Sequence, residues 1–326
     1  MAQQKIQNIF LAGHAGMVGS AFYRALNENP GVQVFTVDRS ECDLSNQSQV
    51  NQLFQSHNFD LVILAAAKVG GIYANNTFPG DFIYQNLTIQ TNVIHAAHLS
   101  NISNLLFLGS SCVYPKYSDQ PIQESSLLSG YLESTNEAYA IAKIAGIKLC
   151  ESYNRQYGRD YRSIMPTNLY GPNDNYHPKN SHVIPALIHR FHLAKEERLA
   201  NVKIWGSGKP QRDFMHVDDL VSAALLIMSI NEVEYQKLTQ PNCSHINISS
   251  GSEHTIAETA KLISDIVGFN GGIEFDDTKP DGTLRKKMSS SILDKLEWAP
   301  KIDLLSGLQH TYKNYIDEKF SSNKKN

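Results

Sequence analysis

A phenol and a primary amine four residues apart, Tyr139 and Lys143 in the run Ala138-Tyr139-Ala140-Ile141-Ala142-Lys143, have the types and spacing for proton transfer. On a helix over 138–150 they lie one turn apart on a single face. A phenol ordinarily titrates near pH ~10, and an ammonium one turn away favours the phenolate, which eases proton exchange near neutrality. Upstream, Gly109-Ser110-Ser111-Cys112 closes an apolar run. On a strand ending near 109–112, alternation puts Ser110 and Cys112 on one face and Ser111 on the other. A hydroxyl, a thiol, a phenol and an ammonium then converge on one carbonyl. The pair also has a bland reading. Tyr315 and Lys319 repeat the spacing in a polar C-terminal tail with no glycine loop or strand to serve them. Cys112, taken alone, reads as a small buried hydrophobe, the usual fate of a free cysteine.

The elements that must hold these groups are legible as alternating strands and helices. Ile6 to Ala12 reads as a short apolar strand, followed by Gly13-His14-Ala15-Gly16-Met17-Val18-Gly19 and an amphipathic helix to about Asn29. Strand, glycine loop and helix form a dinucleotide cradle: the glycines permit a tight turn, and the helix N-terminus faces a pyrophosphate. The second strand, Val32 to Val37, ends in Asp38-Arg39. The acid suits the ribose hydroxyl of NAD and the arginine suits the extra phosphate of NADP, so the two signals conflict. Either can also be a solvated loop charge. Val50 to Ser56 reads as helix, and Asp60 to Ala67 as a strand buried on both faces, with Lys68-Val69-Gly70-Gly71 at its C-terminal end. A helix over Asp81–Leu99, a strand over Asn104–Gly109 and a strand over Tyr161–Met165 complete the alternation. It predicts an α/β fold with a Rossmann-type doubly wound parallel sheet and a smaller C-terminal substrate-binding domain.

After Pro172 the character changes. A polar loop over 173–181 ends at His182, before a helix from about Pro185 to Glu197. Arg190, Trp205, Arg212 and the Lys279-Pro280-Asp281-Gly282 turn suit a diphosphate and a flat base, since guanidinium pairs with phosphate and indole stacks. Each can equally be a solvated charge or a core aromatic. Asp213 to Ile230 reads as strand turn plus helix, and Thr255 to Val267 as a helix opened by a Thr255–Glu258 capping box. The expected division is 1–172 plus about 213–245 for the dinucleotide domain, about 173–212 plus 246–318 for the substrate domain, and a frayed polar tail over 319–326.

Composition bounds the partners. A net charge of -3 over 326 residues argues against nucleic acid or a membrane surface as partner. No apolar run approaches the roughly 20 residues of a membrane span, and Met1 to Lys5 lacks a signal-peptide pattern. Cys42, Cys112, Cys150 and Cys243 are far apart with no CxxC pair, which argues against a disulfide framework or metal site and for a reducing cytoplasm.

Gly13-x-x-Gly-x-x-Gly19, Ser110 and Tyr139-x-x-x-Lys143 together resemble the extended short-chain dehydrogenase/reductase family. Longer runs are similar to its GDP-L-fucose synthase branch over nearly the whole chain: 65–72, 109–115, 139–146, 165–172, 180–185, 205–208 and 279–283. That resemblance implies NADP(H), a GDP-sugar substrate and a homodimer. It implies conversion of GDP-4-keto-6-deoxy-D-mannose to GDP-L-fucose, or action on a related GDP-sugar or heptose. The third reading is a non-catalytic NADP-binding protein, disfavoured because both tyrosine and lysine are present. Carried over by motif, Cys112 and His182 are the epimerisation pair, base and acid, and Ser110, Tyr139 and Lys143 are the reduction triad. Leu108, Gly109, Ser111, Pro166, Thr167, Asn168, Leu169 and His182 join the glycine loop and Asp38-Arg39 around the cofactor, and Arg190, Trp205, Arg212 and Asp281 hold the GDP-sugar. Two departures stand out: Ala15 where the family often has an arginine for the NADP phosphate, and Ser289 where it has an aspartate.

Overall fold

The computed structural model describes residues 8–178, 180–279 and 281–323. The start of the expected first strand (Ile6), residues 1–5, Pro280 of the turn expected to hold substrate and the end of the tail at 324–326 lie outside the described residues. A six-stranded sheet forms the larger lobe: β1 (Asn8–Ala12), β2 (Gln33–Phe35), β3 (Leu61–Leu64), β4 (Asn104–Leu108), β5 (Asp160–Pro166) and β6 (His245–Ile248). All neighbours pair in parallel, in the order β2-β1-β3-β4-β5-β6. Such a sheet needs crossovers on both faces, and its strands are near-continuous in apolar residues for that reason. Alternation sends Phe10, Val62, Leu64, Leu105 and Phe107 into one core layer and Ile9, Leu11, Ile63, Leu106 and Ile246 into the other. The strand order reverses between β1 and β3, and ligands in such sheets sit at that switch, beyond the carboxyl ends of the strands.

Helices α1 (Met17–Asn27), α2 (Pro79–Leu99) and α3 (Glu137–Tyr157) cover this sheet. Close approach of α2, α3 and β4 rests on Gly146, where an added Cβ would stand 2.4 Å from the Phe107 ring and 2.9 Å from Gln90 Oε1. Buried Arg162 on β5 is compensated by both carboxylate oxygens of Asp160 and by the Ile227 and Ile230 carbonyls, as a buried cation requires.

The smaller lobe has its own core of Ile184, Leu187, Phe191, Ile263 and Val267. It pairs α4 (Val183–Glu196) with the helix Ile256–Val267, whose capping box has both reciprocal bonds. Its sheets join Asn201–Trp205 to Gly272–Asp276, and Gln211–Arg212 to both His254–Thr255 and Arg285–Lys286.

Two expectations are corrected, on the domain bounds and on the tail. Residues 246–248 fall in the main sheet, and Ile292 and Leu293 pack in its core, so the domain expected over 246–318 is not continuous. Asn168–Tyr170 leaves the main sheet to pair with Phe214–His216, a crossing that strand periodicity does not reveal. The tail is helical: Leu304–Asn323 is one helix, and Tyr315 is buried against Tyr176, His189 and His192. The Tyr315–Lys319 spacing therefore serves packing, with the Lys319 ammonium 5.4 Å from that ring centroid.

Candidate active site

The glycine loop follows β1 and ends at the head of α1. Gly13 has φ +91°, and a Cβ there would lie 2.6 Å from the Ala66 amide nitrogen. At Gly19 a Cβ would lie 2.0 Å from the Gly13 carbonyl oxygen, so glycine lets the helix close on its own loop. Gly16 differs: a Cβ would meet nothing nearer than 3.7 Å, and the residue is exposed. The space above Gly16 is open, and α1 begins there with no side-chain cap and no acid in its first turn. Free N–H groups at an uncapped, acid-free helix start are an anion site. Met17 and Val18 pack against the core and Ala15 faces solvent. His14 leans toward Asp38 (Nε2–Oδ1 3.5 Å), and exposed Arg39 reaches Asp43 (3.4 Å). Because β2 ends at Phe35, Asp38-Arg39 sits in the following loop, not on a strand end.

At the ends of β4 and β5 the chemistry-bearing groups meet. The strand stops at Leu108, and Ser111–Val113 forms a short 3-10 turn with Ser110 at its head, its oxygen accepting from the Cys112 amide at 3.3 Å. Strand alternation across 109–112 is thus corrected, since the tighter turn sets the side-chain directions. Ser111 is buried, while Ser110 and Cys112 are half-exposed. Gly109 is pinned by its amide to the Ile164 carbonyl (2.8 Å) and leaves no room for a Cβ beside Met165. Next to it, at the end of β5, Thr167 Oγ1 and Asn168 Nδ2 donate to the Asp213 carbonyl at 3.0 and 2.9 Å. Pro166 ends β5, and Leu169 packs on the core.

Tyr139 lies close enough to Ser110 and Cys112 for both to act on its phenol. Burial pushes that phenol well above the ordinary range, negative charge on the Cys112 sulfur adds to the rise, and the nearby Ser110 hydroxyl opposes it. The spacing argument, in which an ammonium lowers the phenol, is corrected. Lys143 is buried, donates to the Leu108 carbonyl at 2.7 Å, and stands 5.9 Å from the Tyr139 ring centroid. Desolvation takes its own proton down to about 7, so at neutral pH it is a partial charge at most. The sign has a measurable consequence. The unfolded chain holds that proton up to about pH 10.5, and burying the charged amine costs most below pH 7. The penalty shrinks as pH rises from about 7 to 10.5. Lys143→Met is expected to raise the Tm more at pH 6 than at pH 9. Thermal melts at the two pH values check this, and an equal change at both contradicts it.

His182 heads α4 and is exposed to water, yet the protein around it lowers its imidazole pKa. Water reaching the ring screens the effect. The loop before it docks on the glycine pair after β3: Gly71 N–H donates to the Asn180 carbonyl (2.9 Å), and a Cβ on Gly71 would lie 2.6 Å from the Ser181 carbonyl oxygen. A Cβ on Gly70 would touch Phe82 at 3.2 Å, and Phe82 meets the Tyr139 ring edge-on at 6.3 Å. Packing thus links the histidine loop to the phenol.

Two of the expected guanidiniums lie in the smaller lobe. Arg190 donates to the Lys203 carbonyl (2.8 Å) and lines a cavity of about 410 Å³ with His189 and Asn201. Arg212 donates to the Gln211 and Thr283 carbonyls and stands within the fields of Cys112 and Asp281. Among the described residues neither is ion-paired to a carboxylate, and burial lowers both pKa values, so each buried guanidinium would gain from an anion beside it. Trp205 is exposed, with the Lys279 ammonium 6.0 Å from its ring centroid. Asp281 accepts from Ser207 N–H (2.6 Å) and Oγ (2.7 Å), so it holds the 206–208 loop. Ser289 is buried, and its Oγ accepts from the Ser291 N–H at 3.3 Å.

Sequence reasoning passed over Asn136, whose Nδ2 donates to Cys112 Sγ at 3.3 Å. Its signal was available: Asn136, Tyr139 and Lys143 fall at i, i+3 and i+7 on one helix face. All four cysteines are free thiols. No helix among the described residues is long and apolar enough to cross a membrane. His216, Asp218 and His310 cluster, but His216 Nδ1 accepts from the Asp218 amide as a helix cap and Arg24 holds Asp218 at 2.7 Å.

The chain is similar to known proteins over nearly its whole length. A model of the NAD dependent epimerase/dehydratase family matches residues 9–239. GDP-L-fucose synthase of Escherichia coli (strain K12) is 54% identical over 95% of this chain and 97% of its own. Putative GDP-L-fucose synthase 2 of Arabidopsis thaliana is 53% identical over 96% of this chain and 93% of its own. A solved GDP-mannoheptose C4 reductase from Campylobacter jejuni with NADP bound superposes with TM-score 0.86 at 36% identity, covering 97% of this chain and all (100%) of that one.

Proposed function

The chain belongs to the NAD dependent epimerase/dehydratase family, and from that premise we propose that it converts GDP-4-keto-6-deoxy-D-mannose to GDP-L-fucose with NADPH. The observation that carries the reading is the meeting of Cys112 with the Ser110–Tyr139 pair at the ends of β4 and β5. Two GDP-L-fucose synthases at about half identity over nearly full length support the same activity.

The C4 ketone acidifies the hydrogens on C3 and C5. At each centre in turn Cys112, as thiolate, takes the proton and His182 returns one from the opposite face, inverting that centre, and exchange with water resets both groups before the second inversion. Because its surroundings favour the neutral ring, the proton-donating fraction of His182 falls as pH rises, and epimerisation slows on the alkaline side. Tyr139 then protonates the C4 oxygen while Ser110 hydrogen-bonds it. Burial keeps the phenol protonated at neutral pH, the state a proton donor needs. Bound NADPH supplies the hydride to C4. Lys143 orients the nicotinamide ribose, and Gly13–Gly19 with the head of α1 takes the pyrophosphate. Arg39 is the cation available for the 2′-phosphate. Arg190 and Arg212 hold the diphosphate, and Trp205 offers a stacking face for the base.

Spectrophotometric assay with the GDP-keto sugar is expected to show oxidation of NADPH in preference to NADH. Oxidation only with a GDP-keto-heptose would favour the second reading, which the Campylobacter jejuni relative supports. Gly19→Ala is expected to weaken NADPH binding about tenfold or more, because the new methyl forces the loop off the helix start. Fluorescence titration checks this, and unchanged affinity contradicts the cradle. We also propose a homodimer in a reducing cytoplasm: α2 and α3 expose Tyr84, Leu99, Ile141 and Tyr157, apolar area that a second copy would cover.

A further inference from the structure

Asparagine is among the residues that best cap a helix N-terminus, and Asn136 occupies that position on α3, yet its side chain makes no cap bond. The amide is turned toward the sulfur instead, with Nδ2 3.3 Å from Cys112 Sγ. A thiolate only accepts hydrogen bonds, so the NH₂ end must be the one facing it. That leaves Oδ1 buried with no hydrogen-bond partner. A forgone cap and an orphaned buried acceptor are both unfavourable, and native structures carry few such atoms without a functional reason. Here both fall on one side chain beside the nucleophile, on the helix face that carries Tyr139 one turn later.

We propose that Asn136 is a catalytic residue of the epimerisation half-reaction, its Nδ2 stabilising the Cys112 thiolate and its Oδ1 accepting a ring hydroxyl of the keto sugar. The assignment of the sugar rests on the function proposed above. The sulfur contact does not. As Cys112 takes a proton from C3 or C5, negative charge passes from sulfur to the enolate oxygen at C4. The Nδ2 donor favours the state before transfer, and the Oδ1 contact fixes the ring so that the carbon to be deprotonated faces the sulfur. No redox step is involved, and the proton count balances between Cys112 and the sugar.

The test uses the full-length enzyme and two variants, Asn136→Ala and Asn136→Asp. Aspartate caps helices as well as asparagine, so Asn136→Asp should fold, with its Tm as the control. Solvent deuterium uptake at C3 and C5 of the GDP-keto sugar, measured with NADP⁺ bound, is expected to fall about 10- to 100-fold in both variants. NADPH affinity is expected to stay unchanged. Iodoacetamide alkylation of Cys112 at pH 7, which needs no sugar, is expected to slow about threefold or more in Asn136→Asp, because a carboxylate beside the sulfur disfavours the thiolate. Wild-type exchange and alkylation in Asn136→Asp would overturn the proposal. Equal loss of exchange, Tm and NADPH affinity in Asn136→Ala would reduce Asn136 to a structural role and overturn it too. If the wild-type enzyme exchanges no deuterium, the functional reading fails, and the alkylation rates alone decide for or against Asn136 as partner of the sulfur.

Discussion

Cys112→Ser is expected to abolish deuterium uptake at C3 and C5 of the keto sugar, a loss of about 10²–10⁴ in rate, while NADPH binding is preserved. Serine is close to cysteine in size, keeps an acceptor for the Asn136 amide, and replaces a half-exposed side chain, so packing scarcely changes. An alcohol, however, ionises far less readily than a thiol and cannot rest as the base that a ketone-activated C–H requires. The nearest alternatives do not substitute for it. Tyr139 is held protonated by burial, and Lys143 is turned to the Leu108 carbonyl. Proton NMR of the recovered sugar after incubation in D₂O with NADP⁺-loaded enzyme measures the effect. Full exchange in the variant would remove the thiol from the mechanism.

Tyr139→Phe separates the second half of the reaction from the first. Loss of the phenol oxygen removes the proton donor beside Ser110, but the ring can keep its edge-on contact with Phe82 at 6.3 Å. Deuterium exchange at C3 and C5 is expected to continue, whereas NADPH oxidation is expected to fall about 10²–10⁴-fold. The epimerised keto sugar should then accumulate, which mass spectrometry of the quenched reaction detects. Retained NADPH oxidation would exclude Tyr139 as the donor. Loss of exchange together with reduction would mean that the phenol shares in epimerisation.

The parts of this account that the sequence made legible are those governed by short-range rules. The glycine loop could be placed because Gly13 and Gly19 leave no room for a Cβ, a constraint that writes itself into residue type. The parallel sheet could be read because strands buried on both faces are apolar throughout. Tyr139 and Lys143 were found by helical spacing alone. What escaped depends on contacts distant in sequence. His245–Ile248 joins the sheet beside Asp160–Pro166, a pairing across some eighty residues that no local pattern encodes. The direction of the Tyr139 shift was misjudged because spacing reports proximity to Lys143 but not burial, and burial dominates both groups. The turn at Ser111–Val113 interrupts the alternation expected of a strand, yet Ser110 and Cys112 still reach Tyr139. Asn136 was overlooked because an asparagine before a helix reads as a cap, and only the direction of its amide shows otherwise.

The most direct measurement is the isotopic pattern of the product made in D₂O from unlabelled GDP-4-keto-6-deoxy-D-mannose and unlabelled NADPH. Epimerisation and reduction in one pocket predict a single sugar with deuterium at C3 and C5 and ordinary hydrogen at C4. A product reduced at C4 with ordinary hydrogen at both C3 and C5 would contradict the account, leaving a simple C4 reductase in which Cys112 and His182 move no protons.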